Sequence, residues 1–272
     1  MISTEEKRAK FRTLHNSGCF VLPNPWDIGS ARMMQHLGFS AIATTSTGFA
    51  WSIGHPDYAI SMDDVLEHLV ALSEHTDIPV NADFESGFAR EPEHLIANVD
   101  LVIDSGVAGF SIEDRDTDFL DNLYDRSFSV ERIRAAREAI DHSSQDVILV
   151  GRTERLLIDP SAIKEATDTL VALAEAGADC LYAPGVGKKD DIAAMVRAVA
   201  PKPLNVLVNG PHLNMKELAD LGVRRISVGG ALSLVGWKAV IDAAGTVLKG
   251  EFSGLQPSMP GSELNRVFGS FH

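Results

Sequence analysis

Residues 79–87 read Pro79-Val80-Asn81-Ala82-Asp83-Phe84-Glu85-Ser86-Gly87: a short apolar entry, then acids alternating with apolar residues, then a glycine turn. A strand covered on both faces reads as a near-continuous apolar run, so this stretch is a buried parallel strand with a polar tip. The pattern recurs along the chain. Residues 109–115 read GFSIEDR and residues 147–155 read VILVGRTER, each an apolar run that ends in charge. The runs ending at 183–185 (APG), 208–210 (VNG) and 228–230 (VGG) finish in glycine, asparagine or proline.

Working outward, the same reading predicts strands over 19–23, 41–45, 79–84, 109–113, 147–152, 180–184, 204–208 and 225–229. Amphipathic stretches at 27–37, 62–75, 93–105, 130–142, 162–176, 189–199, 215–220 and 232–248 lie between and after them. Gly38, Gly106, Gly177 and Gly222 each follow a helical pattern and lead into a strand, the position where a left-handed cap is needed. Asp159-Pro160-Ser161, Ser129 and Glu91-Pro92-Glu93 read as helix starts. Eight β-then-α units in one unbroken series predict an α/β fold, a (β/α)8 TIM-type barrel. An open doubly wound sheet is the alternative, weakened because no GxGxxG follows the first strand. The barrel is assigned to 1–250 and a C-terminal helical extension, interrupted by Pro257 and Pro260 and a candidate for subunit contact, to 251–272.

The 272 residues carry 24 Lys+Arg and 38 Asp+Glu, a formal charge of −14, which speaks against a nucleic-acid partner because the basic surface that releases counterions is missing. With 45 % hydrophobic residues the chain has enough apolar content to fold. Cys19 and Cys180 are the only cysteines, far apart in sequence, which fits a reducing, cytoplasmic compartment. No apolar run comes up to the ~18–20 residues of a membrane span, so no membrane partner is expected.

In such a barrel the chemistry collects at the C-terminal strand ends. Asp83, Glu85, Glu113 and Asp114 then converge over the mouth, where unpaired acids repel and raise one another's pKa. A hard divalent cation resolves that repulsion; helix capping or pairing with Arg115 and Arg152 is the plainer alternative. Arg152 is placed to clamp a carboxylate bidentately, or else to stiffen the rim through Glu154. Thr44-Thr45-Ser46-Thr47-Gly48-Phe49 reads as an anion cradle or a simple turn. His55 and His212 fall on predicted loops and read as exposed, and Cys180 reads as packing.

Asn24-Pro25-Trp26-Asp27, Asp83-Phe84-Glu85-Ser86-Gly87, Ile112-Glu113-Asp114 and Gly151-Arg152-Thr153-Glu154 together resemble the isocitrate lyase/phosphoenolpyruvate mutase superfamily, in order, over about residues 15–250. The resemblance implies a cytoplasmic homotetramer exchanging its last helix, with Mg²⁺ (or Mn²⁺) in the barrel mouth and enolate chemistry on small carboxylates or phosphonates. It implies Asp83 as direct metal ligand, with Glu85 and Glu113 acting through water, and Asp57 beside the metal. Thr45, Thr47, Gly48, Phe49, Asn209 and Arg152 become substrate-binding residues. Arg152, Glu113 and Asp57 become the catalytic set.

Two departures choose among reactions. The superfamily's isocitrate and methylisocitrate lyases carry Lys-x-Cys-Gly-His on the loop after Glu-Asp; here residues 115–124 read RDTDFLDNLY, with neither Cys nor His. The mutase and phosphonopyruvate hydrolase branches place Lys and Asn there; this loop has Asn122, no Lys, and acids that repel a phosphonate. What fits is a Mg²⁺-dependent carbon–carbon lyase or decarboxylase for an oxaloacetate-like α-oxo or 2-hydroxy acid. A P–C bond enzyme and a non-catalytic dicarboxylate-binding barrel remain the alternatives. The decarboxylase branch carries a His at the eighth strand's end, where this chain has Gly229-Gly230.

Overall fold

The computed structural model describes residues 2–211, 213–255 and 259–271. Its strands are β1 (Phe20–Leu22), β2 (Ile42–Ala43), β3 (Val80–Asp83), β4 (Gly109–Glu113), β5 (Ile148–Arg152), β6 (Cys180–Tyr182), β7 (Leu204–Leu207) and β8 (Arg225–Ser227). Helices α1 (Thr4–Asn16), α2 (Ile28–His36), α3 (Ser46–Ser52), α4 (Met62–His75), α5 (Pro92–Asp104) and α6 (Arg126–Ser143) belong to the first half. The second half adds α7 (Arg155–Ile158), α8 (Ile163–Glu175), α9 (Lys189–Val199), α10 (Met215–Asp220), α11 (Ala231–Leu248) and α12 (Gly261–Gly269).

All eight strands are parallel and run β1-β8-β7-β6-β5-β4-β3-β2 around one sheet. The ring closes between its ends, where Ala43 N donates to Pro23 O at 3.0 Å and Asn24 Nδ2 to Thr44 O at 2.8 Å. This is the expected TIM-type barrel. Its outer core lies between sheet and helices, around fully buried Leu69, Leu72, Leu95, Val99 and Leu170. A second, inner cluster lines part of the lumen with Phe20, Leu22, Ile148, Val150 and Cys180, plugged from below by Phe11 of α1. Register then sets the mouth: Asp83 pairs with Ser111 and Glu113 with Arg152, so neighbouring tips carry acid, acid and guanidinium.

The glycine caps hold. At Gly177, φ is +113° and a Cβ would stand 2.7 Å from Arg137 Cγ, so only glycine fits. Other boundaries differ from expectation. Helix α6 starts three residues before Ser129, which sits inside it with Oγ donating to Asp125 O at 3.1 Å. Asp159 and Ser161 form a turn (Ser161 N to Asp159 Oδ1, 2.9 Å), and α8 opens only at Ile163.

The polar N-terminus is a helix that the apolar pattern does not announce. A Ser3/Glu6 capping box starts α1, and its cations are buried as caps for other helices. Lys7 Nζ donates to Ser73 O and Thr76 O, both at 2.6 Å, and Arg8 donates to Val107 O and Ile103 O. At the other end α12 docks on its own barrel, with Val267 buried and the Arg32 guanidinium 5.1 Å from the Phe271 ring. Pro260 is its N-cap; Pro257 lies outside the described residues.

One helix bears on the expectation that no uninterrupted apolar run is long enough to span a membrane. Helix α11, with 18 residues and a mean hydropathy of 1.4, is long and apolar enough to cross a membrane by length and composition. In the fold it is the helix that follows β8. Little of it is covered: Leu234, Val235, Val240, Ile241 and Leu248 are all exposed.

Candidate active site

The strand tips enclose a cavity of about 260 Å³, opening at the C-terminal end of the barrel and reaching down into the lumen. Arg152 stands at its centre. Nε donates to Glu154 Oε1 at 2.6 Å, Nη1 to Asp83 Oδ1 at 2.9 Å, and Nη2 faces Glu113 Oε2 at 3.1 Å. The guanidinium also stacks 5.2 Å from the Tyr182 ring centroid. Burial works against its charge, but Glu113, Glu154 and Asp83 more than offset this, and its pKa is raised. The rim-stiffening Arg152–Glu154 pair and the acid–Arg pairing therefore both exist in this state.

Each acid is held differently. Asp83 Oδ2 accepts from Ser46 N at 3.0 Å and from Ser46 Oγ at 2.9 Å. Glu113, 2 % exposed, accepts from Tyr58 Oη at 3.0 Å, and burial raises its pKa despite Arg152, helped by Glu154, Asp83 and Glu85. Glu85 sits in the left-handed region at φ +48°, a costly conformation for a residue with a Cβ. Its Oε1 is buried without a hydrogen-bond partner, and burial, then Asp83 and Asp57, push its pKa up to about 8. Asp57, exposed on its loop, lines the cavity beside Thr47. Asp114 is turned away from the cavity. It takes Thr153 Oγ1 at 2.5 Å and Glu154 N at 2.8 Å, so it fixes the tip of β5.

The loops between these tips are tied in place. Arg132, 1 % exposed, donates to the carbonyls of Ser86, Ala89 and Arg90 and so holds the segment after Glu85. The 115–124 loop folds back on itself, with Arg115 bridged to Leu123 and Tyr124 N donating to Asp114 O at 2.7 Å. Arg115 reaches from this loop into the site, 3.4 Å from Glu154 and 5.2 Å from the Tyr58 ring centroid.

The expected anion cradle is α3. Thr45 is its N-cap, with Oγ1 accepting from Gly48 N at 3.2 Å, and Phe49 N donates to Thr45 O at 2.9 Å. The Gly48 and Phe49 amides are thus committed within the helix and not offered to a ligand. Phe49 stacks on His68 at 3.9 Å, while Thr45 and Thr47 face the cavity. Gly48 is there for space, since a Cβ would lie 2.6 Å from Thr45 Cγ2. Asn209 is exposed and lines a separate groove beside Val208 and Leu213. His55 is exposed, and His212 lies outside the described residues. Tyr58 and Tyr182 went unread in the sequence. Tyr182 shares a face with the alternate residue Cys180 on β6, and Tyr58 follows Asp57 on a loop with no periodicity to flag it.

Among the described residues no three His, Cys, Asp or Glu side chains stand gathered at metal-ligating spacing. The donor chemistry nevertheless fits a hard divalent cation. Asp57, Asp83, Glu85 and Glu113 offer only oxygen, Glu85 Oε1 lacks any partner, and Glu113 Oε2 has only the unaligned Arg152 contact.

The family profile of phosphoenolpyruvate phosphomutase matches residues 11–248. An uncharacterised protein of Mycobacterium tuberculosis is 33 % identical over 258 residues, 93 % of this chain and 94 % of that one. An oxaloacetate decarboxylase of Paraburkholderia xenovorans is 24 % identical over 275 residues, 96 % of this chain and 88 % of that one. A crystal structure from Burkholderia cenocepacia, assigned provisionally as a lyase/mutase, superposes with a TM-score of 0.94 at 41 % identity, over 98 % of this chain and 97 % of that one. The barrel, the acid-tipped strands and these matches agree: the chain belongs to the phosphoenolpyruvate mutase/isocitrate lyase superfamily.

Proposed function

We propose that this protein is a Mg²⁺-dependent carbon–carbon lyase or decarboxylase acting on a small α-oxo or 2-hydroxy carboxylate of the oxaloacetate type. The observation that carries the reading is the acid-rich cluster at the tips of β3 and β4, with Arg152 between its members, Arg115 only at its edge and buried carboxylate oxygens of Glu85 and Glu113 left without a hydrogen bond. In this reading Asp83 would hold the cation directly and Glu85 and Glu113 through water, with Asp57 beside it; Mn²⁺ would serve in its place. When bound, the cation supplies Lewis-acid polarisation of a 2-oxo group and stabilises charge that develops on that oxygen. With the acids so engaged, Arg152 Nη1 and Nη2 become free for a substrate carboxylate. Thr45 and Thr47 face the same space. Tyr58 Oη, its pKa raised by burial and by Glu113, stays a phenol and holds a proton at the cavity wall. The similarity to an oxaloacetate decarboxylase supports the choice of first substrate.

The test is pyruvate release from oxaloacetate by EDTA-stripped protein before and after Mg²⁺ is restored. The expected result is a protein-dependent rate above that of free Mg²⁺, absent in EDTA. No rate above the free-metal background would remove oxaloacetate as substrate.

The exposed apolar side of α11 we assign to contact between copies of this chain. Val235, Val240, Ile241 and Leu248 are each more than half exposed, a patch of the kind that marks an interface. A homo-oligomer, dimer or tetramer, is expected in light scattering, and a monomer would contradict it. Both cysteines are free, which suits the cytoplasmic compartment proposed here.

A further inference from the structure

Below the acid cluster the lumen holds a second buried cation that the chemistry above does not use. Arg225, the first residue of β8, is 3 % exposed and forms part of the wall of the central cavity. Its Nε donates to Asn205 Oδ1 at 3.1 Å and its Nη1 to Asn81 Oδ1 at 3.2 Å, and its guanidinium lies 5.9 Å from the Phe11 ring centroid. All these partners are neutral. Among the described residues Arg225 makes no ion pair with a carboxylate, whereas Arg152 has three.

Other buried cations lack a carboxylate too, but they are accounted for. Lys7, Arg8 and Arg132 end on backbone carbonyls and are absent from the cavity wall. Arg225 differs by facing open space. A buried charge served only by neutral groups is costly, and an anion beside it recovers much of that cost. The neighbours are neutral hydrogen-bonding side chains, with Asn205 Nδ2 donating to Ser227 Oγ at 3.0 Å and one N–H of Asn205 left over. The lumen walls here are small as well, with Ala43 and Ser111 where barrels place bulky branched residues. Burial depresses the Arg225 pKa, as it does for a guanidinium without a counter-ion.

We propose that Arg225, with Asn81, Asn205 and Ser227, forms an anion subsite in the barrel lumen that takes one carboxylate group of a small carboxylic acid entering through the mouth. The subsite is distinct from Arg152, whose three sides are occupied by acids in the metal-free state. It stands on the lumen geometry and holds whichever reaction the mouth performs.

The experiment uses acetate, a carboxylate too simple to chelate a metal, with full-length protein in EDTA and chloride-free buffer. Saturation-transfer NMR reads acetate binding, and thermal unfolding reads the fold. Wild type is expected to show saturation transfer that Arg225→Met reduces at least tenfold. The deciding variant is Asn205→Asp, which sets a carboxylate beside Arg225 Nε and leaves the mouth untouched. It is expected to unfold no lower than wild type and to lose acetate binding at least tenfold. Three results would each overturn the proposal: no acetate signal in wild type, undiminished binding in Asn205→Asp, or a lower unfolding temperature for that variant. Full displacement of acetate by equimolar chloride would overturn the carboxylate assignment. Because neither metal nor turnover enters, failure here leaves the lyase reading standing, and failure of turnover leaves this one.

Discussion

Arg152→Met is expected to destabilise the metal-free protein more than any other single change at the mouth. The substitution keeps an unbranched stem and removes the one cation shared by Asp83, Glu113 and Glu154. Breaking a buried ion pair by deleting one partner costs about 3–5 kcal/mol, because the other charge is left uncompensated. Asp83 loses its cation here and Glu113 and Glu154 keep only the longer Arg115 contacts, at 3.9 and 3.4 Å, although protonation of Glu113, whose pKa is already raised, absorbs part of the penalty. For a protein of this size the unfolding temperature should fall by about 10 °C in EDTA. Added Mg²⁺ should recover part of that loss, since a cation at the acids replaces the missing charge. Thermal unfolding of both proteins with and without Mg²⁺ checks this; an unchanged temperature in EDTA would mean that the acids do not depend on Arg152.

The second large effect is on turnover. Asp83→Ala removes the carboxylate that Ser46 and Arg152 orient towards the cavity. If the cation is lost with it, several kcal/mol of charge stabilisation disappear, and Mg²⁺-dependent pyruvate release should fall about 10³-fold, to the free-metal background. Stability should change little, because deleting one acid from a crowded cluster relieves repulsion as it breaks three hydrogen bonds. Lost turnover at a near-native unfolding temperature therefore separates a metal ligand from a merely structural acid. Equal rates in the two proteins at equal Mg²⁺ would remove Asp83 from the chemistry.

Strands and most helices were legible because each obeys a local rule: buried apolar runs, a 3.6-residue period, glycine after the last turn. Helix α1 was not, because Lys7 and Arg8 on its buried side look solvated in sequence and become buried only by capping α4 and α5. Helix α3 was hidden by Thr, Ser and Gly, weak helix formers that a single cap at Thr45 suffices to start. At the site, the acids and Arg152 could be named from their strand ends, since β3, β4 and β5 run up to Asp83, Glu113 and Arg152. Asn209 failed the same logic because β7 stops at Leu207, and the alternation that would have aimed it inward stops there too. Tyr58 and the pairing of Arg152 with three acids at once are tertiary facts, made by loops and register from distant segments.

The proposed role of the acids at the mouth is to hold a divalent cation. Calorimetric titration of Mg²⁺ into metal-stripped protein at pH 7, run in two buffers of different ionisation enthalpy, tests it most directly. Glu85, with its pKa near 8, is mostly protonated at that pH, and a metal favours the carboxylate, so binding must expel a proton. The expected result is one Mg²⁺ per chain, with proton release at pH 7 and tighter binding at pH 9. No binding at either pH would contradict it.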